Sequence, residues 1–327
     1  MEEAYSMKIL RIKTSSNRYG GNVYEEYMYQ CLKDEMEIEE TCPSKITQNT
    51  NQISFIIKFI LNLLKIASYK KADIQIRAME TALFLPKEPI QNIIIAHHVD
   101  HRYSSLFSAA LQIATFYYLK WFRSRVSILV TVSRYWKDFF EALGFQNVVI
   151  IYNPFDINSF VRTTQEIEAF KIKYNLTKKP IIYIGNAQKK KGVDKAYEAL
   201  KNIDAHIITS GKPQIKTGAI NLNITYEEYI TLLHASDVVI TMSQFKEGWN
   251  RTAHEAMLCK TPVIGSGLGG MSELLLGGNQ LVCQDFNELP QYVFRCMNEK
   301  QLGDDGYAYA SQFTLELFKN SWKKLFK

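Results

Sequence analysis

The chain has 327 residues, 46% of them hydrophobic, which is enough for one large domain or two medium ones with their own cores. Its net charge of +6 suits an anionic partner (a nucleotide, an anionic lipid surface or nucleic acid) without choosing among them. Five cysteines, an odd number with no Cys-x-x-Cys pair, argue against a disulfide framework and a zinc site and for a reducing compartment.

In chain order, Met1–Ser6 is acidic and polar and does not read as a signal peptide, and Met7 reads as the structural start. Lys8–Ile12 reads as a strand and Asn22–Leu32 as a helix after it, with Gly20 and Gly21 in a loop between them. Gln52–Lys71 carries Ile53, Ile56, Ile57, Ile60, Leu61 and Leu64 on one helical face beside Lys58, Lys65, Lys70 and Lys71. A core-packed helix and a membrane-surface helix both fit that pattern. Ile93–Ala96 reads as a buried strand ending at His97. His97, His98, Asp100 and His101 do not have a recognised zinc spacing, so a cleft-facing His97 is the reading set against a metal. Leu106–Arg125, with its run of aromatics before Arg123 and Arg125, invites the same two readings as Gln52–Lys71. Ile128–Val132 reads as a strand and Tyr135–Leu143 as a helix. No apolar run reaches the ~20 residues needed to span a bilayer. A cytoplasmic protein is expected, at the inner face of the membrane if the surface-helix reading holds.

The alternation resumes after a polar stretch, Asn153–Lys179. Ile181–Ile184, Ala205–Thr209, Val238–Met242 and Pro262–Gly265 read as strands, and Val193–Asn202, Glu227–His234 and Arg251–Leu258 as helices. Strands alternating with helices predict an α/β fold of two doubly wound, Rossmann-like domains facing a cleft. The expected divisions are 1–155, a linker at 156–178, 179–306, and a helix over 307–327 that crosses back to the first domain.

The chemistry concentrates in SDVVITMSQFKEGWNRTAHEAMLCKTPVIGSGLGGMSE, Ser236–Glu273. A loop leaves the carboxyl end of a strand, and Asn250, a good N-cap, opens a helix whose free N–H groups suit an anion. Glu247 lies in the loop and Glu255 within the helix, so both can face one ligand. Carboxylates accept paired hydroxyl donors, which a ribose or a sugar supplies. Gly267, Gly269 and Gly270 allow a close backbone approach to that ligand. Lys189–Lys191 is either an exposed turn or a phosphate contact.

Glu247 and Glu255 in the frame EGWNRTAHEAM, followed by PVIGSGLGGMSE, resemble the signature of family-4 retaining glycosyltransferases. IIYIGNAQKKKGVDKAYEAL resembles the strand, Gly loop and Lys-Gly unit that opens that family's second domain. VTVSRYWKDFFEALGFQNVVIIYNPFD and KILRIKTSSNRYGGNVYEEY resemble the end and the beginning of its first. Glu35–Lys87 is not covered. The resemblance implies a GT-B fold and transfer of a sugar, with retention and without a metal, from a nucleotide-diphosphate sugar to a hydroxyl of a glycan, lipid-linked or protein-linked acceptor. It implies no cofactor and no nucleic acid partner. Glu255 would bind the ribose, Glu247 the donor sugar, and Lys191 the pyrophosphate. Gly20 and Gly21 would approach the phosphates, and His97 would lie near the reacting sugar. Gly185, Asn186, Gly248, Asn250 and Arg251 complete the implied donor-binding set. Asn186 stands where the family usually has Arg, which keeps open a catalytically silent protein of the same fold that binds a nucleotide-sugar or a partner enzyme.

Overall fold

The computed structural model describes residues 7–13, 20–43, 52–69, 71–99 and 106–326. They form two compact units. Unit 1 runs to Pro154 and takes in Glu316–Lys327, and unit 2 is Phe155–Leu315.

Unit 1 contains β1 (Lys8–Ile12), α1 (Gly20–Leu32), β2 (Glu37–Thr41), α2 (Gln52–Ala67), β3 (Ile74–Ala78), β4 (Gln91–Ile95), α3 (Leu106–Trp121), β5 (Ile128–Thr131), α4 (Arg134–Ala142) and β6 (Val148–Ile150). The strands form one parallel sheet in the order β2-β1-β3-β4-β5-β6. Ile93, Ile94 and Ile95 are buried in its middle, as expected of a strand covered on both faces. The chain steps from β1 to β2 in one direction and advances in the other from β2 onward. Right-handed crossovers therefore put α1 on one face and α2, α3 and α4 on the opposite face. The packing agrees: Arg11 of β1 reaches Glu26 of α1, whereas Leu10 and Ile12 cluster with Ile66 of α2.

Unit 2 contains α5 (Thr164–Lys173), β7 (Ile181–Tyr183), α6 (Val193–Leu200), β8 (His206–Ser210), β9 (Ile220–Leu222), α7 (Tyr226–Ala235), β10 (Val238–Thr241), α8 (Arg251–Leu258), β11 (Val263–Gly265), α9 (Met271–Gly277), β12 (Leu281–Val282), α10 (Leu289–Asn298) and α11 (Gln301–Ala310). Its parallel sheet has the order β12-β11-β10-β7-β8-β9. Ile182, Val238, Ile240 and Ile264 build its core with Leu200 and Val293 from the covering helices. The chain leaves β7 toward β8 and later returns to β10 on the other side of β7. The carboxyl ends of β7 and β10 therefore flank the switch point, where open α/β sheets bind ligands.

Two expectations about organisation change. The stretch 156–178 holds α5, which starts at a capping box between Thr163 and Glu166 and packs on α7 through Lys173 and Tyr174, both bonded to Glu228. Its polar composition reads as a linker because one turn of buried Phe170 is enough to seat it. The helix expected over 307–327 is two helices, α11 and α12 (Leu315–Lys323). The break lies where Phe155 N–H bonds the Phe313 carbonyl, 3.0 Å away. In unit 1, α12 packs Phe318 and Trp322 against Tyr24 of α1, at ring-centroid distances of 5.0 and 6.4 Å. Lys319 and Lys323 pair there with Glu35.

Candidate functional site

The loop after β10 and the single helical turn Lys189–Lys191 after β7 are bonded to each other. Gln244 donates its backbone N–H to the Lys190 carbonyl (3.0 Å) and its side-chain amide to the Lys189 carbonyl (2.9 Å). The ammonium groups of Lys190 and Lys191 lie 5.2 and 5.1 Å from the centre of the Phe245 ring. This bracing carries Lys191 to Glu247. The Lys191 ammonium and the Ser243 hydroxyl each donate to Glu247 Oε1 at 2.5 Å, and the Asn250 amide donates to the same oxygen at 3.4 Å. Glu247 and Ser243 are buried, and Lys191 is half-buried.

The Glu247 backbone is fixed as well. Its N–H bonds the Leu268 carbonyl (3.1 Å), and its carbonyl accepts from Gly270 N–H (2.8 Å). Gly269, at φ +71°, lies so close that a Cβ there would sit 2.5 Å from the Glu247 carbonyl oxygen. At Gly269 the close approach is therefore made to the chain's own backbone at Glu247, and at Gly267 the absent side chain makes room for Val282.

Asn250 caps α8 by accepting from Ala253 N–H at 2.9 Å, which satisfies one N–H of the first turn and leaves those of Arg251 and Thr252 at the helix start. Arg251, His254 and Glu255 share one side of α8, as positions three and four apart must. The Arg251 guanidinium lies 4.4 Å from the centre of the Phe155 ring and bonds Glu255 Oε1 at 3.3 Å. His254 stacks on the same Phe155 ring at 3.9 Å, accepts from Trp249 Nε1 at Nδ1 and bonds the Ala310 carbonyl through Nε2. Burial pushes its pKa down to about 3, so it is a neutral packing residue.

Glu255 is buried, and burial raises its pKa, opposed first by Arg251 and then by the Tyr229 hydroxyl, which donates to Oε2 at 2.9 Å. Burial likewise raises Tyr229, so its hydroxyl keeps its proton. Tyr229, Ser243 and Phe155 are supports that sequence reasoning misses. Tyr229 lies in an ordinary amphipathic helix pattern, and Phe155 is distant along the chain, so neither carries a local signal.

Gly185 and Asn186 follow β7, and a Cβ at Gly185 would meet nothing within 4 Å. The Asn186 side chain is turned toward Gly211, whose own Cβ would lie 3.1 Å from the amide nitrogen. Gly248 continues the loop between Glu247 and the α8 cap. Lys191 and Asn250 are thus bonded to Glu247, and Arg251 is bonded to Glu255 within α8, so these five residues form two bonded sets in unit 2.

In unit 1, His97 follows the carboxyl end of β4. Tyr24 meets its ring edge-on at 4.9 Å, and a Cβ on Gly21 would lie 3.1 Å from its Cδ2. Gly20 and Gly21 form the first turn of α1 instead of a loop, and the missing side chain at Gly21 makes room for His97. Residues 14–19, Asp100 and His101 lie outside the described residues, among which no group of three His, Cys, Asp or Glu side chains is set to hold a metal ion.

Residues 164–289 match the family model described as Glycosyl transferases group 1. Uncharacterized glycosyltransferase MJ1178 of Methanocaldococcus jannaschii is 24% identical over 220 residues, a match spanning 61% of this chain and 59% of that relative. The fold is that of Anabaena Alr3699/HepE, whose structure was solved in complex with UDP-glucose (TM-score 0.76, 16% identity, 98% of this chain and 99% of that one). It is also that of the sucrose-phosphate synthase of Thermosynechococcus elongatus (TM-score 0.77, 14% identity, 98% of each chain). The two parallel sheets thus have the GT-B architecture, and the matched segment, which contains Lys191, Glu247 and Glu255, supports a glycosyltransferase.

Proposed function

We propose that the protein is a retaining glycosyltransferase that takes a sugar from a nucleoside diphosphate sugar and needs no metal. The observation that carries this reading is the Lys191–Glu247 pair at the switch point of the second sheet, one helix start away from the buried Glu255. In this reading Glu255 accepts the two ribose hydroxyls, and Glu247 accepts hydroxyls of the transferred sugar. Lys191 turns its ammonium to the diphosphate. When the anomeric C–O bond breaks, negative charge grows on the leaving phosphate. The Lys191 ammonium and the first N–H groups of α8 stabilise it. The acceptor oxygen bonds to the anomeric carbon on the face the diphosphate leaves, and its proton passes to the departing phosphate oxygen. Charge, proton and configuration are then accounted for without a metal ion, and no two aspartates in the chain have the Asp-x-Asp spacing that a metal-dependent transferase would use. The acceptor is a hydroxyl of a glycan, a lipid-linked or a protein-linked molecule.

Thermal unfolding with UDP, GDP, ADP and their sugars, with and without EDTA, tests the donor site. One nucleotide series should raise the midpoint equally in both conditions, because a ligand at 100 times its Kd adds about 2.7 kcal/mol. No shift with any of them overturns the donor site, and a shift abolished by EDTA overturns metal independence. Asn186 favours a second reading, a catalytically silent nucleotide-sugar binder. Donor hydrolysis without acceptor separates the two, since a binder releases no sugar.

A further inference from the structure

The outer surface of α2 and α3 in unit 1 is not explained by the fold. Each helix already has an apolar inner side, with Phe59, Leu63 and Ile66 of α2 and Leu119 of α3 buried. Yet each carries a second apolar line facing solvent: Ile57, Leu61 and Leu64 on α2, and Ile113, Tyr117 and Trp121 on α3. These six are between 41% and 82% exposed, Trp121 the most. Spacings of three and four keep each set on one side of its helix. The crossover argument puts both helices on the same face of the first sheet.

The charge on these two helices has one sign. Residues 52–67 and 106–125 together hold five Lys and Arg and no Asp or Glu. Lys58 and Lys65 flank the apolar line of α2, Lys120 and Arg123 flank that of α3, and all four are exposed. A second copy of the chain is a poor occupant for this face. A two-fold contact would set the same cations against each other with no anion on either helix to answer them. An anionic bilayer answers both features at once. Aromatic and branched side chains enter the headgroup boundary, where Trp and Tyr concentrate, and Lys and Arg meet lipid phosphates. No helix among the described residues is long and apolar enough to cross a membrane, so such contact is peripheral.

We propose that the outer face of α2 and α3 docks on an anionic membrane surface, with Trp121, Tyr117, Leu61 and Leu64 entering the interface and Lys58, Lys65, Lys120 and Arg123 on the headgroups. This docking is independent of the donor site.

The test is flotation of the full chain with vesicles of phosphatidylcholine alone and of phosphatidylcholine with phosphatidylglycerol, at low and moderate salt. Binding should appear with the anionic vesicles and weaken with salt. The triple variant Lys58→Gln, Lys65→Gln, Lys120→Gln should lower the partition coefficient by roughly fivefold per cation removed. Trp121→Ala should lower it severalfold. The melting midpoint of each variant shows whether it has folded, and flotation is compared only for those that match the parent. Absence of flotation on anionic vesicles at low salt overturns the proposal. So does binding that neither variant weakens, or a doubling of mass in sedimentation equilibrium that the variants abolish, which would assign the face to a second copy.

Discussion

In unit 2 the loops leaving β7 and β10 are tied together by Gln244, and both carboxylates that land there are met by donors. Glu247 takes Lys191, Ser243 and Asn250 on one oxygen, and Glu255 has Arg251 on one oxygen and Tyr229 on the other. Unit 1 has the same kind of sheet and its own switch point between β1 and β3, but a different treatment of its buried carboxylate. Glu25, in α1 just after β1, has its pKa lifted to about 8 by burial and then by Glu80, while Arg11 and Lys13 pull it down only in part. Parallel topology therefore offers a location in both units. In unit 2 hydrogen bonds from several elements turn the location into a fixed set of charges around Glu247 and Glu255, as preorganised recognition of a polar ligand requires. Unit 1 directs its distinctive chemistry outward, onto α2 and α3.

The sharpest way to break this contrast is Lys191→Ala. Loss of a cation aimed at the leaving phosphate should lower turnover about 100- to 1,000-fold, measured as sugar release from the donor. A loss of less than tenfold would mean that the braced cluster is structural.

The two glutamates should separate next. Glu255→Ala should weaken binding of the bare diphosphate nucleotide by about 1.5–3 kcal/mol, because two ribose hydroxyls lose an ionised acceptor. Glu247→Ala should leave that affinity nearly intact and reduce turnover. Calorimetry and donor turnover on both variants measure this, and equal loss of nucleotide affinity in the two would sink the division of roles.

Asn186→Arg should gain a comparable amount, about 1.5–3 kcal/mol in diphosphate affinity, if a second cation fits beside Lys191. Unchanged calorimetry would mean that another residue already fills that position.

Gly269→Ala sharpens the comparison from the backbone side. A Cβ in the left-handed region, pressed on the Glu247 carbonyl, should cost about 1–3 kcal/mol of stability in denaturant unfolding. It should also lower turnover while the bare nucleotide still binds.

Tyr229→Phe is the mildest, at about 0.5–1.5 kcal/mol of nucleotide affinity. Its pH signature is distinctive. Burial holds the Glu255 pKa above the ordinary carboxylate range, and only ionised Glu255 accepts ribose hydroxyls fully. Affinity should therefore fall on acidification starting above that range. Removing the Tyr229 bond, which opposes the rise, should move the onset to still higher pH. An unchanged calorimetric pH profile would show that Tyr229 does not hold Glu255.

Two alternating α/β runs, the strand–loop–helix frame around Glu247 and Glu255, and the basic–apolar character of α2 and α3 were all legible in the chain itself. Periodicity and capping are local, and each of these features spans a few neighbouring residues. The helix inside 156–178 was signalled by Thr163 and Glu166 but masked by polar composition. What only the tertiary structure decided are the partners. Strand order and the Gln244 bonds put Lys191 beside Glu247, fifty-six residues away, and the packing of α7 on α8 puts Tyr229 beside Glu255. The Gly269 approach to Glu247 depends on β11 lying next to β10. Whether the apolar lines of α2 and α3 are core or surface was likewise undecidable from periodicity, because both helices are apolar on two sides. Which side meets the sheet is set by the strands they cover.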